Sequence, residues 1–253
     1  MVTNTVLSST EDGVCTITLN RPECLNAINR PLLAQLKTIL ANGHADPKVK
    51  VFVMRGAGRA FCSGQDLKEF DKYAGSEADS RAYLESIQEI TREMVLGEKV
   101  IIGAIHGWAV GGGLEWLINC DLAILAAGTR CFFPEITLGV FVTGGVSALL
   151  PRLVGLQKAR ELILFGERFD AEQALEMGLA LKVVAAADLF DEVDSVARRI
   201  TELPAGAVCD FKRVINRACQ MDVEGAIELE TEAAVRGFLD PSTTDRTSRF
   251  KQQ

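Results

Sequence analysis

An α/β fold is the class this sequence predicts, on two observations. Short β-branched apolar runs alternate with loops and helical periodicities three times before residue 127, and from Pro151 onward the pattern is helical almost throughout. With 253 residues, 48% of them apolar and 24% charged, the chain can bury a substantial core, and one main domain is the default.

Taken in order, Val14-Cys15-Thr16-Ile17-Thr18-Leu19 alternates apolar and polar residues and reads as a strand that ends at Asn20-Arg21-Pro22. Pro31 opens a helical pattern (Leu32, Leu33, Leu36, Ile39, Leu40) that runs to about Ala41, its missing amide costing nothing in a first turn. Val49 to Met54 is a second strand, stopped by Arg55-Gly56-Ala57-Gly58, and Phe61-Cys62-Ser63-Gly64-Gln65-Asp66 is a loop leading into a short helix. Asp71 to Ser80 is small, polar and charged, and is expected to be mobile. A helix follows from about Arg81 to Leu96, then a strand from Val100 to Ile105. The segment Gly107 to Gly113 opens a helix through Cys120, and Asp121 to Ala126 is again a strand. In the helical last third, Val223 to Leu239 has one apolar stripe (Val223, Ile227, Ala234, Phe238) and one acidic face, so its spare apolar surface can pack on another subunit.

Composition narrows the function. A net charge of −7 argues against a nucleic-acid surface, although a local basic patch can still hold a phosphorylated small molecule. The longest apolar run, around Ala123 to Ala127, is far too short to span a bilayer, and the polar stretch Met1 to Asp12 does not read as a secretory leader, so a cytoplasmic protein with no membrane partner is expected. The seven cysteines are odd in number and show no C-x-x-C spacing, which reads as reduced, mostly buried thiols. With only His44 and His106 available, a histidine-rich metal site is impossible, and a carboxylate-based mechanism without metal or other cofactor is expected.

Gly111-Gly112-Gly113 follows a buried strand and opens a helix. Three glycines in a row are costly in conformational entropy, which points to a ligand close to the backbone or to a tight strand–helix packing turn. On the first reading the Gly112 amide, at a helix N-terminus, faces a developing negative charge in the manner of an oxyanion hole. A dinucleotide fingerprint fails here, because Trp116 stands where its third glycine belongs. Glu115 lies in the first turn of the same helix, either as a reacting carboxylate beside that amide or as a partner of the helix dipole. Glu135 lies between Phe132-Phe133-Pro134 and Ile136, apolar surroundings that raise a carboxyl pKa and suit proton transfer near neutrality. Two carboxylates in different surroundings can divide acid and base roles.

Several segments, in order and at matching spacing, resemble the enoyl-CoA hydratase/isomerase, or crotonase, superfamily over nearly the whole chain. They are Leu19-Asn20-Arg21-Pro22 with Leu25-Asn26-Ala27, Ala60 to Leu67, His106 to Glu115, Asn119 to Ala123, Phe133 to Gly139, and Ala171 to Leu179. The resemblance implies a crotonase-like ββα spiral core that binds acyl-CoA over residues 1–195, an α-helical trimerisation region over 196–253, and assembly as a homotrimer or dimer of trimers. It implies an acyl-CoA substrate whose coenzyme A is part of the substrate, and a place in fatty acid metabolism. By the family pattern Gln65 and Gly112 donate backbone amides to the thioester oxygen, and backbone around Ala60 and at Gln65, Asp66 and Leu67 binds the adenine and pantetheine parts. Glu115 and Glu135 match both hydratase glutamates at their separation of 20 residues. The implied reaction is hydration of a 2-enoyl-CoA to a 3-hydroxyacyl-CoA through an oxyanion-stabilised enolate, with Glu115 activating water and Glu135 exchanging the α-proton.

Alternatives within and outside enzymes remain: a double-bond isomerase of the same family, which needs one carboxylate and no activated water, or a catalytically silent binding or scaffold member. The chain departs from the pattern where Val142-Thr143 replaces the Pro-Gly common in hydratases, at a loop that shapes the acyl pocket. The tail from Asp245 to Gln253 is short for the family, so a coenzyme A contact from Phe250 or Lys251 is not carried over.

Overall fold

The computed structural model describes residues 4–250, with Tyr73 and Phe250 in their backbone only. A hairpin of β1 (Val6–Glu11) and β2 (Val14–Leu19) leads through α1 (Arg30–Ala45) to β3 (Val51–Gly56). After α2 (Phe70–Tyr73) and α3 (Glu77–Leu96) come β4 (Val100–Ile105), β5 (Trp108–Val110), α4 (Gly112–Asn119), β6 (Leu122–Ala126) and β7 (Arg130–Phe132). Then follow α5 (Val146–Val154), α6 (Leu156–Phe165), β8 (Phe169–Asp170), α7 (Ala171–Glu176), β9 (Lys182–Val184), α8 (Leu189–Thr201), α9 (Ala205–Ala218), α10 (Val223–Leu239) and α11 (Pro241–Phe250).

Six strands form one sheet in the order β1-β2-β3-β4-β6-β9, parallel throughout except for the β1–β2 hairpin. Its central strands are covered on both faces, which is why they read as continuous apolar runs. Val51 and Val53 of β3, Val100 and Ile102 of β4 and Ile124 of β6 meet Leu189, Val193, Val196 and Ala197 of α8. The alternate residues Phe52, Met54, Ile101, Ile105 and Leu125 point into the larger core with α1, α3 and α4. Helix α8 runs unbroken through position 195, so a dividing line at 195/196 falls inside it.

A second, three-stranded sheet positions the site. β5 runs parallel to β7 with Val110 opposite Phe132, and β7 pairs antiparallel with β8. Gly111 N–H extends the β5–β7 ladder to Phe132 O at 3.1 Å. The chain leaving β5 and the chain leaving β7 therefore emerge side by side.

The structure corrects several expectations. The segment from Asp71 to Ser80 is largely helical: α2 covers its start, and α3 begins at Glu77, where the Ser76 hydroxyl accepts Asp79 N–H at 3.1 Å. Its polarity is that of a helix N-terminus with a serine cap and first-turn acids. The polar N-terminal stretch contains β1, an edge strand whose side chains are mostly solvated, and its Asp12-Gly13 turn has φ of +48° and +84°, the signature of a tight hairpin. Helix α1 runs on to Ala45, and Pro151 sits inside α5 rather than opening the helical third. The last third also contains β8 and β9. All seven cysteines are free; Cys15, Cys62 and Cys131 are buried, Cys24, Cys120 and Cys209 are partly buried and Cys219 is exposed. Among the described residues no helix is long and apolar enough to cross a membrane.

Helix α9 is pinned to the core by a buried lysine. Lys212 Nζ donates to Met94 O at 2.6 Å and Lys99 O at 2.8 Å and pairs with Asp121 Oδ2 at 2.9 Å. Asp121 Oδ2 also accepts Ile101 N–H at 2.8 Å, so one ion pair ties α9 to β4 and to the turn before β6. Lys212→Met leaves the Asp121 charge buried and uncompensated, and should cost about 3–5 kcal/mol, read as a lower urea midpoint at unchanged slope.

Candidate active site

Asn26, fully buried and with φ of +57°, organises the loop after β3. Its Nδ2 donates to Ala57 O, Ala60 O and Phe61 O at 2.8–3.1 Å, and its Oδ1 accepts Arg21 N–H at 2.8 Å. Short parallel bridges fix the rest of the loop. Cys62 exchanges hydrogen bonds with Trp108 and Val110 of β5, and Ile28 with Gly64 and Asp66, leaving Gln65 between two anchors.

Gly64 is where the two segments touch. Its φ is +83°, and a Cβ there would lie 2.7 Å from Val110 O and 3.4 Å from Gly112 N; only glycine permits both the conformation and the approach. Among the described residues, no carbonyl accepts the amide of Gln65 or of Gly112. Gly112 is the first residue of α4, so its amide is among those a helix leaves unpaired at its positive end. Gly111 has φ of +51°, and a Cβ there would come within 2.5 Å of Glu135 Oε1. The glycine run thus meets a packing demand as well as freeing an amide.

Glu115, in the first turn of α4, is 2% exposed. Thr143 donates its N–H to Oε1 and its hydroxyl to Oε2, both at 2.6 Å. Burial raises the Glu115 pKa, and the two Thr143 bonds pull against that rise. Glu135 follows β7, and its Oε2 is buried with no hydrogen-bond partner. Burial, and after it the Glu115 charge, lifts Glu135 to about 7.

Gln65, Gly112, Glu115 and Glu135 line one cavity of about 420 Å³, walled by Ile28, Phe70, Tyr83, Ile87, Phe141 and Val142 among others. Part of that wall comes from the segment Asp71 to Ser80, through Ala74 and Ser80, and part from the loop of the Val142-Thr143 departure, through Phe141 to Thr143. The other residues taken as contacts do not line it. Ala60 is fully buried, with its carbonyl held by Asn26. Asp66 pairs with Arg21 at 2.9 Å and caps the turn after it, and Leu67 is exposed. Phe250's side chain and Lys251 lie outside the described residues. Sequence reasoning assigned no role to Asn26 or Thr143; the first sat in a quoted motif and the second in the Val142-Thr143 departure.

The family model for enoyl-CoA hydratase/isomerase matches residues 9–245. The chain belongs to this family. It is 32% identical over 251 residues to the short-chain-enoyl-CoA hydratase of Clostridium acetobutylicum, covering 99% of this chain and 95% of the relative. To the crotonyl-CoA hydratase of Syntrophomonas wolfei it is 31% identical over 234 residues, 92% and 89% of the two chains. The crystal structure of an enoyl-CoA hydratase from Bacillus anthracis superposes with a TM-score of 0.93 at 30% identity, over 98% of this chain and 96% of that one. The fold is accordingly crotonase-like, with the six-stranded sheet, the small second sheet and a helical C-terminal region as its parts.

Gly111→Ala should raise the backbone energy by about 1–3 kcal/mol and push the Glu135 carboxylate off its seat. The expected outcome is a lower melting temperature together with a loss of turnover of tenfold or more, measured on the same preparation.

Proposed function

We propose that this enzyme hydrates a 2-enoyl-CoA thioester to the 3-hydroxyacyl-CoA through an oxyanion-stabilised enolate. The observation that carries the reading is two carboxylates in different surroundings, on one apolar cavity that also receives two backbone segments whose amides have no acceptor within the described chain. An isomerase needs only one of those acids.

In this mechanism the thioester oxygen accepts hydrogen bonds from the Gln65 and Gly112 amides. The positive end of α4 stabilises the charge that gathers there, and each donor is worth about 3 kcal/mol in the transition state. Drawing charge to that oxygen makes the β-carbon electrophilic. Ionised Glu115 takes a proton from water as the water oxygen bonds to the β-carbon, the π electrons form the enolate, and Glu135 delivers its proton to the α-carbon. One water is consumed, and the acid pair holds one proton before and after, moved from Glu135 to Glu115.

Coenzyme A binding along the backbone around Ala60 and at Gln65, Asp66 and Leu67 belongs to the same proposal, as does independence of any cofactor beyond the coenzyme A of the substrate. A cytoplasmic setting rests on the free thiols, which suit a reducing compartment. Assembly as a homotrimer or dimer of trimers is supported by the apolar side chains that α9 and α10 leave in solvent: Phe211, Val223 (76% exposed), Phe238 (83%) and Leu239 (77%). Light scattering on the eluting protein should return three or six times the chain mass; a monomer overturns the assembly.

The reaction is tested by the loss of conjugated-thioester absorbance on crotonyl-CoA and on branched and longer 2-enoyl-CoAs. Glu115→Gln and Glu135→Gln should each lower kcat by about 10²–10⁴-fold while leaving acyl-CoA binding nearly intact. Conversion of 3-enoyl to 2-enoyl substrates without water uptake would replace hydration by isomerisation. Because the singly protonated pair is the reactive form in both directions, hydration and dehydration should share one bell-shaped pH profile. Its alkaline limb should fall near pH 7, where Glu135 loses the proton it must donate.

A further inference from the structure

Both oxygens of Glu115 are engaged by a single residue from outside its helix. The Thr143 amide reaches Oε1 and the Thr143 hydroxyl reaches Oε2, each at 2.6 Å, across 28 positions of sequence. The loop that brings Thr143 there is itself held by α4. Asn119, one turn beyond Glu115, donates Nδ2 to Gly144 O at 2.8 Å, and Val146 N–H closes back on Thr143 O at 3.0 Å. Successive turns of one helix face therefore grip adjacent residues of one loop, which fixes the carboxylate's plane.

The titratable groups around this carboxylate are the Glu135 carboxyl from the chain after β7 and the Cys62 thiol from the loop after β3, both of which feel its charge, and Tyr83 of α3, which lines the same cavity. Among the described residues no lysine, arginine or histidine lines the cavity. With no cation to hold a buried carboxylate charged, donated hydrogen bonds must do so, and charge-assisted ones are the strong kind. Glu135, by contrast, has an oxygen with no partner at all.

We propose that Thr143 is a positioning residue: its hydroxyl and amide hold Glu115 ionised and aimed at water, and so assign the base role to Glu115 and the acid role to Glu135. The inference rests on the hydration reading and deepens it. Burial is the larger effect and raises the Glu115 pKa, and the two Thr143 bonds are what act to lower it.

The test compares wild type with Thr143→Val and Thr143→Ala, which remove the hydroxyl and keep the amide, and with Thr143→Ser, which keeps both donors. Melting curves identify whichever hydroxyl-free variant is folded. For crotonyl-CoA hydration, the hydroxyl-free variants should lose about tenfold in kcat with KM within about twofold, and the acid limb should move up by about one pH unit, as for the loss of one charged hydrogen bond. Thr143→Ser should restore both. An acid limb that stays put while kcat falls, or a serine variant that restores nothing, overturns the assignment. A pH titration by difference infrared on the substrate-free protein, with Glu115 assigned from Glu115→Gln, gives the same midpoint without turnover. An unmoved Glu115 midpoint there sinks the role of Thr143 alone, whereas a wild type that hydrates no 2-enoyl-CoA sinks the hydration reading.

Discussion

Two backbone segments from different parts of the chain approach here more closely than side chains allow, and the site depends on that approach. Gly64 lies against the Val110 carbonyl and the Gly112 amide, and bridges from Cys62 to β5 and from Ile28 to the Gln65 loop keep it there. The energy that holds the arrangement comes from elsewhere. Asn26 draws three carbonyls of the loop onto one amide group, and the strand before the loop is buried on both faces. A rigid scaffold of this kind presents polar groups at fixed separations, which is what charge stabilisation in a transition state requires.

The same scaffold separates two carboxylates chemically. Both are withdrawn from water, so burial raises each of them, but Glu115 has a donor on each oxygen whereas Glu135 Oε2 has none. Their difference arises from hydrogen bonding rather than from distance to any cation. An apolar cavity sharpens the contrast, because a bond to a charged group counts for more where water cannot compete.

Far from the cavity, the C-terminal helices divide into an anchored and an unanchored part. Lys212 fastens α9 to the sheet through Asp121 and two carbonyls, and Asn216 adds a bond to Val95 O at 2.9 Å. Helix α10 packs on α9 and buries no residue of its own. Its apolar stripe, evident from the spacing of Val223, Ile227 and Phe238, is left facing outward.

By itself the sequence determined the central strands, whose two buried faces demand unbroken apolar runs at Val51 to Met54 and Val100 to Ile105. It also determined the glycine run, the first-turn position of Glu115 and the apolar flanks of Glu135, and its motifs identified the family. Local pattern could not reach β7, β8 and β9, because two or three residues carry no period. It passed over the Asp12-Gly13 turn and the Ser76 cap because the surrounding residues are polar. Only the tertiary structure decided that Glu135 lies over Gly111, through the β5–β7 register, and that Thr143 closes on Glu115. Those contacts join residues 20 to 30 positions apart, and are set by strand pairing and loop packing, which are properties of the whole fold and leave no trace in the spacing of neighbouring residues.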